Sequence, residues 1–158
     1  GRLTAPLNSN VSSQKMLVSE ESDWLTAIPA ASNGELELAH QCLERLILKA
    51  QASNDTDYLG YIYQTLGNIE ARMGNIDRAS ILHEHAIALD PDSPLPYLFY
   101  AQGLWKAFGN ASSSLAMIEK ANEILNSPKW TETDEELPKS WYMEKFEKLR
   151  NQVLSNER

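Results

Sequence analysis

Two histidines flank a glutamate at His83-Glu84-His85, the combination of side chains with which zinc hydrolases hold a metal and activate water. Metal-binding histidines on a helix are normally one turn apart, because residues two apart point about 200° away from each other. His40 and Cys42 have the same unsuitable spacing. The sequence therefore predicts no metal site.

The acidic cluster, the glycines and the cysteine of this chain also fit structural roles better than catalytic or binding roles. Acidic side chains cluster over residues 132–136, but a charge run in a connector is normally solvated and does not form a catalytic pair. The glycines do not form a phosphate-binding loop between a strand and a helix. Cys42 is the single cysteine, which excludes an internal disulfide and favours a buried structural thiol. We therefore expect a protein that is not an enzyme and that has no cofactor.

The 158-residue chain has a net charge of −8, and the acidic surplus is concentrated in one half. Residues 17–94 contain 13 acidic and four basic side chains, whereas residues 95–158 contain nine and eight. Nucleic acids and anionic membranes bind basic surfaces, so neither is expected as a partner. A partner that meets the first half should instead be basic. A surface that only improves solubility is the simpler alternative.

No apolar stretch is long enough to span a membrane, and no signal peptide is recognisable, so direct membrane insertion by this fragment is not expected. Residues 1–18 are rich in Ser and Asn and are predicted to form a flexible segment. The chain starts with Gly1-Arg2 instead of Met. A cytoplasmic protein, and an exported or tethered protein whose upstream anchor has been removed, both agree with this start.

Helical periodicity dominates the remaining sequence, and no alternating strand pattern of useful length occurs. The fold class is therefore predicted to be all-α. A short first helix is predicted over residues 19–28, ended by Pro29 because proline interrupts the helical hydrogen bonds. Ser32 and Glu35 have the spacing of a capping box, which predicts the start of a second helix that continues to about Ala52.

Two later stretches match each other at the period of a helical hairpin. At a spacing of 34 residues, the matched pairs are Tyr63 with Tyr97, Leu66 with Tyr100, and Gly67 with Ala101. At a spacing of 35 residues, they are Gly74 with Gly109, Asn75 with Asn110, and Ala86 with Ala121. Small residues let antiparallel helices approach closely, and large residues fill the gaps beside them. The repetition predicts two stacked helix pairs, at about residues 60–93 and 94–128.

The first helix pair resembles the tetratricopeptide repeat (TPR) family. The matching positions are Leu66, Gly67, Ala79, Ala86 and Pro91, together with the aromatic Tyr63. Three residues depart from the family pattern, which has Trp at Tyr63, Tyr at Glu70 and Phe at His83, and we interpret all three as ordinary drift. The resemblance covers residues 60–128 and implies a right-handed α-solenoid of antiparallel helix pairs. A degenerate helical unit before it and a capping helix at about residues 138–155 would complete one domain over residues 19–158.

In TPR proteins, the first helix of each unit lines a concave face that binds a peptide or helix of another protein. The resemblance therefore implies a protein-interaction module, with these residues on the concave face: Tyr61, Gln64, Asn68, Arg72, Leu95, Phe99, Gln102, Trp105 and Lys106. Phe99 and Trp105 are predicted to be the main anchors, because buried aromatic side chains dominate binding energy. The carboxylate clamp of chaperone-binding TPR proteins is not expected, since Gln64 and Phe99 replace its Lys and Asn.

Two alternatives to an open groove remain. A helix over residues 139–154, or a second copy of the chain, would cover Phe99 and Trp105 as part of a core. The chain could also be a self-associating assembly component, because Trp141, Tyr142 and Phe146 provide apolar surface near one end.

Overall fold

A computed structural model describes residues 21–132 and 137–158. Within these residues the chain forms seven α-helices and no strand, which confirms the predicted fold class. The helices are α1 (Ser22–Ser32), α2 (Leu36–Ser53), α3 (Thr56–Arg72), α4 (Ile76–Leu89), α5 (Pro94–Lys106), α6 (Ala111–Asn126) and α7 (Lys139–Leu154). The predicted flexible segment 1–18 and residues 133–136 of the acidic connector lie outside the described residues.

Helices that follow each other along the chain pack against each other. α1 packs on α2, α3 on α4, and α5 on α6, while α7 lies against both α5 and α6. α3 also contacts α5, so the first helices of the two predicted pairs are neighbours. Within each pair the turn contains a glycine with positive φ, namely Gly34, Gly74 and Gly109. Glycine suits these turns because it has no Cβ to oppose the left-handed backbone.

The first two helices differ from the sequence-based prediction. Pro29 does not end α1, which continues to Ser32. Packing of Ala27 and Ala30 in the core outweighs the helical hydrogen bond that the proline removes. The predicted capping box is also wrong, because Ser32 is the last residue of α1 and the N–H of Glu35 donates to the carbonyl of Ala30.

Two clusters of buried apolar side chains form the core. The first joins α1 to α4, and its largest fully buried members are Leu43, Leu46, Ile62 and Leu66. Cys42 belongs to it, as predicted for a structural thiol. The second joins α5, α6 and α7, and it includes an apolar stripe of α7: Tyr142, Phe146, Leu149 and Val153. Burial of one such side chain stabilises the fold by about 1.5–3 kcal/mol. No helix of the described residues is long and apolar enough to cross a membrane.

His83 lies where α3, α4 and α5 meet, between the two clusters. Its side chain is 1% exposed and stacks on Tyr100, with 5.0 Å between the ring centroids. A Cβ atom at Gly67 would lie 2.7 Å from His83 Nε2, and one at Gly103 would lie 3.6 Å from it. The imidazole therefore fills space that two glycines leave open, and neither ring nitrogen has a hydrogen-bond partner among the described residues.

Glu70, which stands where the TPR pattern has Tyr, is 1% exposed and joins α3 to α2 and α4. Its carboxylate accepts hydrogen bonds from His40 Nε2 of α2, from Asn75 Nδ2 before α4, and from Arg78 Nε of α4. Burial raises the pKa of Glu70, but the hydrogen bonds from Asn75, His40 and Arg78 outweigh it and hold the pKa below its ordinary value. Ordinary drift therefore does not account for Glu70 or for His83.

Candidate functional site

The nine residues predicted for the concave face lie on α3 and α5, but they differ in accessibility. Three are exposed: Tyr61, Arg72 and Lys106. Four are half-buried: Asn68, Leu95, Phe99 and Gln102. Gln64 and Trp105 are only 2% and 3% exposed, so neither is accessible to a partner in this structure.

Trp105 is covered by the end of the chain. It was predicted to be a main anchor for a partner, and this structure corrects that prediction because the side chain is buried. Its ring belongs to the second core cluster, together with Phe146 of α7. Its Nε1 atom donates a hydrogen bond to the backbone carbonyl of Glu157. Since α7 needs an apolar surface for its own stripe, the indole is more stable inside the core than at the surface. Phe99 is not part of either cluster and remains half-buried.

An open cleft of about 650 Å³ lies between the C-terminal halves of α3 and α5, and we call it the basic cleft. It brings together four of the predicted residues: Asn68, Arg72, Gln102 and Lys106. The small residues Ala71, Gly103 and Ala107 complete most of its wall. Two amides and two cations therefore converge on one concave surface, a combination that fixes the orientation of a polar ligand.

Arg72 and Lys106 make no ion pair within the described residues, whereas the other cations of α1 to α4 are paired. Those pairs are Arg45 with Asp23, Lys49 with Glu21, and Arg78 with Glu70. Arg72 and Lys106 each lie in the last turn of a helix, where the helix dipole favours a positive charge. Their charges are consequently available to an anionic group that enters the cleft.

The wall of the basic cleft also contains an acceptor without a donor. Asn68 Oδ1 is buried and has no hydrogen-bond partner among the described residues. It lies 3.3 Å from the position that a Cβ atom would take at Gly103, so the glycine keeps the space beside the amide open. A buried acceptor without a donor is unfavourable by about 1–3 kcal/mol.

A smaller cleft of about 110 Å³ lies at the N-terminal ends of α3 and α5, and we call it the acidic cleft. Its lining includes Asp57 and Asp90, and also Tyr61, Gln64 and Leu95 from the predicted face. Burial and the neighbouring Asp57 carboxylate both raise the pKa of Asp90. Gln64 of this cleft and Asn68 of the basic cleft are one turn apart on α3, so the two clefts are adjacent parts of one surface.

Trp24 extends this surface onto α1, which sequence reasoning did not foresee. Its ring meets that of Tyr61 edge to face, with centroids 5.4 Å apart. The sequence contained a signal for this position. Trp24-x2-Ala27-x2-Ala30 and Tyr61-x2-Gln64-x2-Gly67 both have an aromatic residue three and six positions before two further residues that are buried in the structure. Asp57, Asp90 and Gly103 were missed as well, because their proximity depends on how α3 and α5 pack.

Comparison of the chain with protein-family models, with curated proteins and with solved structures finds no match. The resemblance to the TPR family therefore depends on the residue pattern alone. The linings of the two clefts contain amide, carboxylate, cationic and apolar groups, and neither lining includes a histidine or a cysteine.

Proposed function

We propose that this protein is a non-enzymatic interaction module that binds a segment of a partner protein along the surface between α3 and α5. The observation that carries the proposal is the basic cleft, where Asn68, Arg72, Gln102 and Lys106 converge. Arg72 and Lys106 make no ion pair within the described residues, so an anionic group of a ligand would be attracted to them. Peptide segments offer carboxylates and backbone N–H groups at suitable spacing.

A TPR-type solenoid is part of the same proposal. Three features support it: the helix pairs α3–α4 and α5–α6, the contact between α3 and α5, and the glycine turns at Gly74 and Gly109. The pair α1–α2 corresponds to the degenerate unit, and α7 to the capping helix. In such an arrangement, α1, α3 and α5 would share the concave side and extend the binding surface from Trp24 to Phe99.

Phe99 provides the most direct test of the binding surface. Peptides selected from a displayed library on the immobilised protein would be titrated against the wild type and against Phe99→Ala by fluorescence anisotropy. Loss of a partly buried aromatic contact should weaken binding by roughly 1–3 kcal/mol. Ile81→Ala is the matched control, because Ile81 is an apolar side chain of α4 that is 50% exposed and lines neither cleft. Equal affinity for wild type and Phe99→Ala would contradict the proposed binding surface.

Self-association is the second candidate function, and exposed apolar side chains at the two ends of the chain favour it. Leu25 and Leu48 are exposed on α1 and α2, and Met143 and Leu154 on α7. Such residues could bury apolar area against a second copy. Light scattering over a range of concentrations distinguishes the two candidates, since a mass that stays at the monomer value excludes self-association.

A further inference from the structure

The surface between α3 and α5 has opposite charges at its two ends. Asp57 and Asp90 line the acidic cleft, and Arg72 and Lys106 line the basic cleft. Half-buried Phe99 lies on α5 between Leu95 of the first cleft and the cations of the second. An extended ligand that follows the helices would therefore meet carboxylates, then apolar surface, then cations.

The length of α3 sets the distance between the two ends. Asp57 lies in its first turn and Arg72 in its last turn. Fifteen residues at about 1.5 Å each separate them by roughly 22 Å. An extended peptide covers this distance with about seven residues, at roughly 3.3 Å per residue. The two charged ends are thus close enough to be contacted by a single short segment.

Each end favours a ligand group of opposite charge. At the acidic end, Asp57 and Asp90 line the same cleft, and burial and the Asp57 carboxylate both raise the pKa of Asp90, so a cationic ligand group would favour its ionised form. At the basic end, Arg158 Nη2 donates to the carbonyls of Lys106 and Ala107. It thereby offsets the negative end of the α5 dipole, so the Lys106 ammonium remains available to a ligand carboxylate.

We propose that the partner segment is charge-segregated, with Lys or Arg at the acidic cleft, apolar side chains at Phe99, and Asp or Glu at the basic cleft. This inference rests on the proposed function and names the chemistry of its ligand. It differs from the uniformly basic partner that the overall charge balance predicts, because most of the acidic surplus lies outside the two clefts.

Five pools of fluorescent peptides of about eight residues test the inference. All pools share central positions randomised among Leu, Phe, Met and Ser, and they differ only in their flanking pairs. The flanks are Lys-Lys and Glu-Glu, the same two in reverse order, Lys-Lys at both ends, Glu-Glu at both ends, or Ser-Ser at both ends. Both orders of the segregated pool are needed because the direction of the bound chain is open.

Fluorescence anisotropy at low salt is measured on wild type, on R72E/K106E, on D90K, and on K120E/K148E. The last variant is the matched control for the first double variant, because both change the net charge equally and Lys120 and Lys148 are exposed cations outside the two clefts. Circular dichroism confirms that each variant is folded.

We expect a segregated pool to bind wild type and the control variant about tenfold more tightly than the uniformly charged pools. R72E/K106E should shift the preference to the all-Lys pool. D90K leaves the acidic cleft with one carboxylate and one ammonium, so the all-Glu pool should then bind as tightly as the segregated pool. Equal binding of all five pools would overturn charge segregation and leave the proposed function intact. A preference of wild type for the all-Lys pool would favour the uniformly basic partner. Absence of binding by every pool would count against the proposed function itself.

Discussion

The buried imidazole of His83 makes the stability of this fold depend on pH in a defined direction. Burial lowers the pKa of His83 from 6.5 to about 4, because the charged form would lose its hydration without gaining an acceptor. In the unfolded chain, the pKa returns to its ordinary value. Between these two pKa values the unfolded state binds a proton that the folded state does not. The free energy of unfolding should therefore decrease as the pH falls from 6.5 toward 4.

The size of the effect follows from the same two pKa values. At roughly 1.4 kcal/mol per pKa unit, the shift corresponds to about 3 kcal/mol once the pH has fallen through the whole window. About 2 kcal/mol of this is lost by about pH 5. Well above the unfolded pKa neither state is protonated, so the imidazole then contributes no pH dependence.

Urea denaturation of wild type and of His83→Phe, at about pH 7.5 and about pH 5, measures this contribution. Phenylalanine keeps an aromatic ring against Tyr100 but cannot titrate. All other titratable groups, including Glu70 and His40, are common to both proteins, so the difference between their pH dependences isolates His83. Wild type should lose about 2 kcal/mol more than the variant over this pH range. Equal losses in the two proteins would refute a neutral imidazole buried without a partner.

Three further predictions concern other buried side chains. Gly67→Ala should destabilise the protein by about 1–3 kcal/mol, because its Cβ would lie 2.7 Å from His83 Nε2. In a His83→Ala background, the same Gly67→Ala substitution should cost much less stability. An equal cost in both backgrounds would show that the contact is unimportant. Glu70→Gln should cost about 1.5–3 kcal/mol in urea denaturation at neutral pH. Because the folded pKa of Glu70 is lowered, that loss should be full above about pH 4.5 and should diminish as the pH falls below it. Deletion of residues 155–158 should expose the Trp105 indole and shift its fluorescence to longer wavelength, whereas the same deletion in a Trp105→Phe background should produce no such shift.

The sequence was sufficient to predict two helix pairs at about residues 60–93 and 94–128, and the structure forms them as α3–α4 and α5–α6. Asp55 directly precedes α3, and its side chain accepts a hydrogen bond from the N–H of Tyr58. Gly74 follows α3 with a left-handed backbone, and its φ is +86°. These features depend on neighbours a few residues away. The end of α1 does not, since burial of Ala27 and Ala30 against α2 overrides Pro29.

The candidate site could be predicted only in part, for the same reason. Helical periodicity assigns Asn68 and Arg72 to one face of α3, which is enough to expect them in one cleft. The accessibility of Trp105 depends on α7, whose packing is not encoded near α5. The family pattern also led to the interpretation of Glu70 and His83 as drift, although both side chains are buried and join neighbouring helices.

Division of the core into two apolar clusters has a consequence for how the molecule opens. α1 to α4 contribute to one cluster and α5 to α7 form the other, and between them lie Gly67, Gly103 and the stacked rings of His83 and Tyr100. We expect separation along this boundary to expose less apolar area than disruption of either cluster. Amide protons of α3 and α5 that face each other should therefore exchange with solvent through a partial opening, at lower free energy than amides inside the clusters. The two groups of helices would behave as separate cooperative units within one chain.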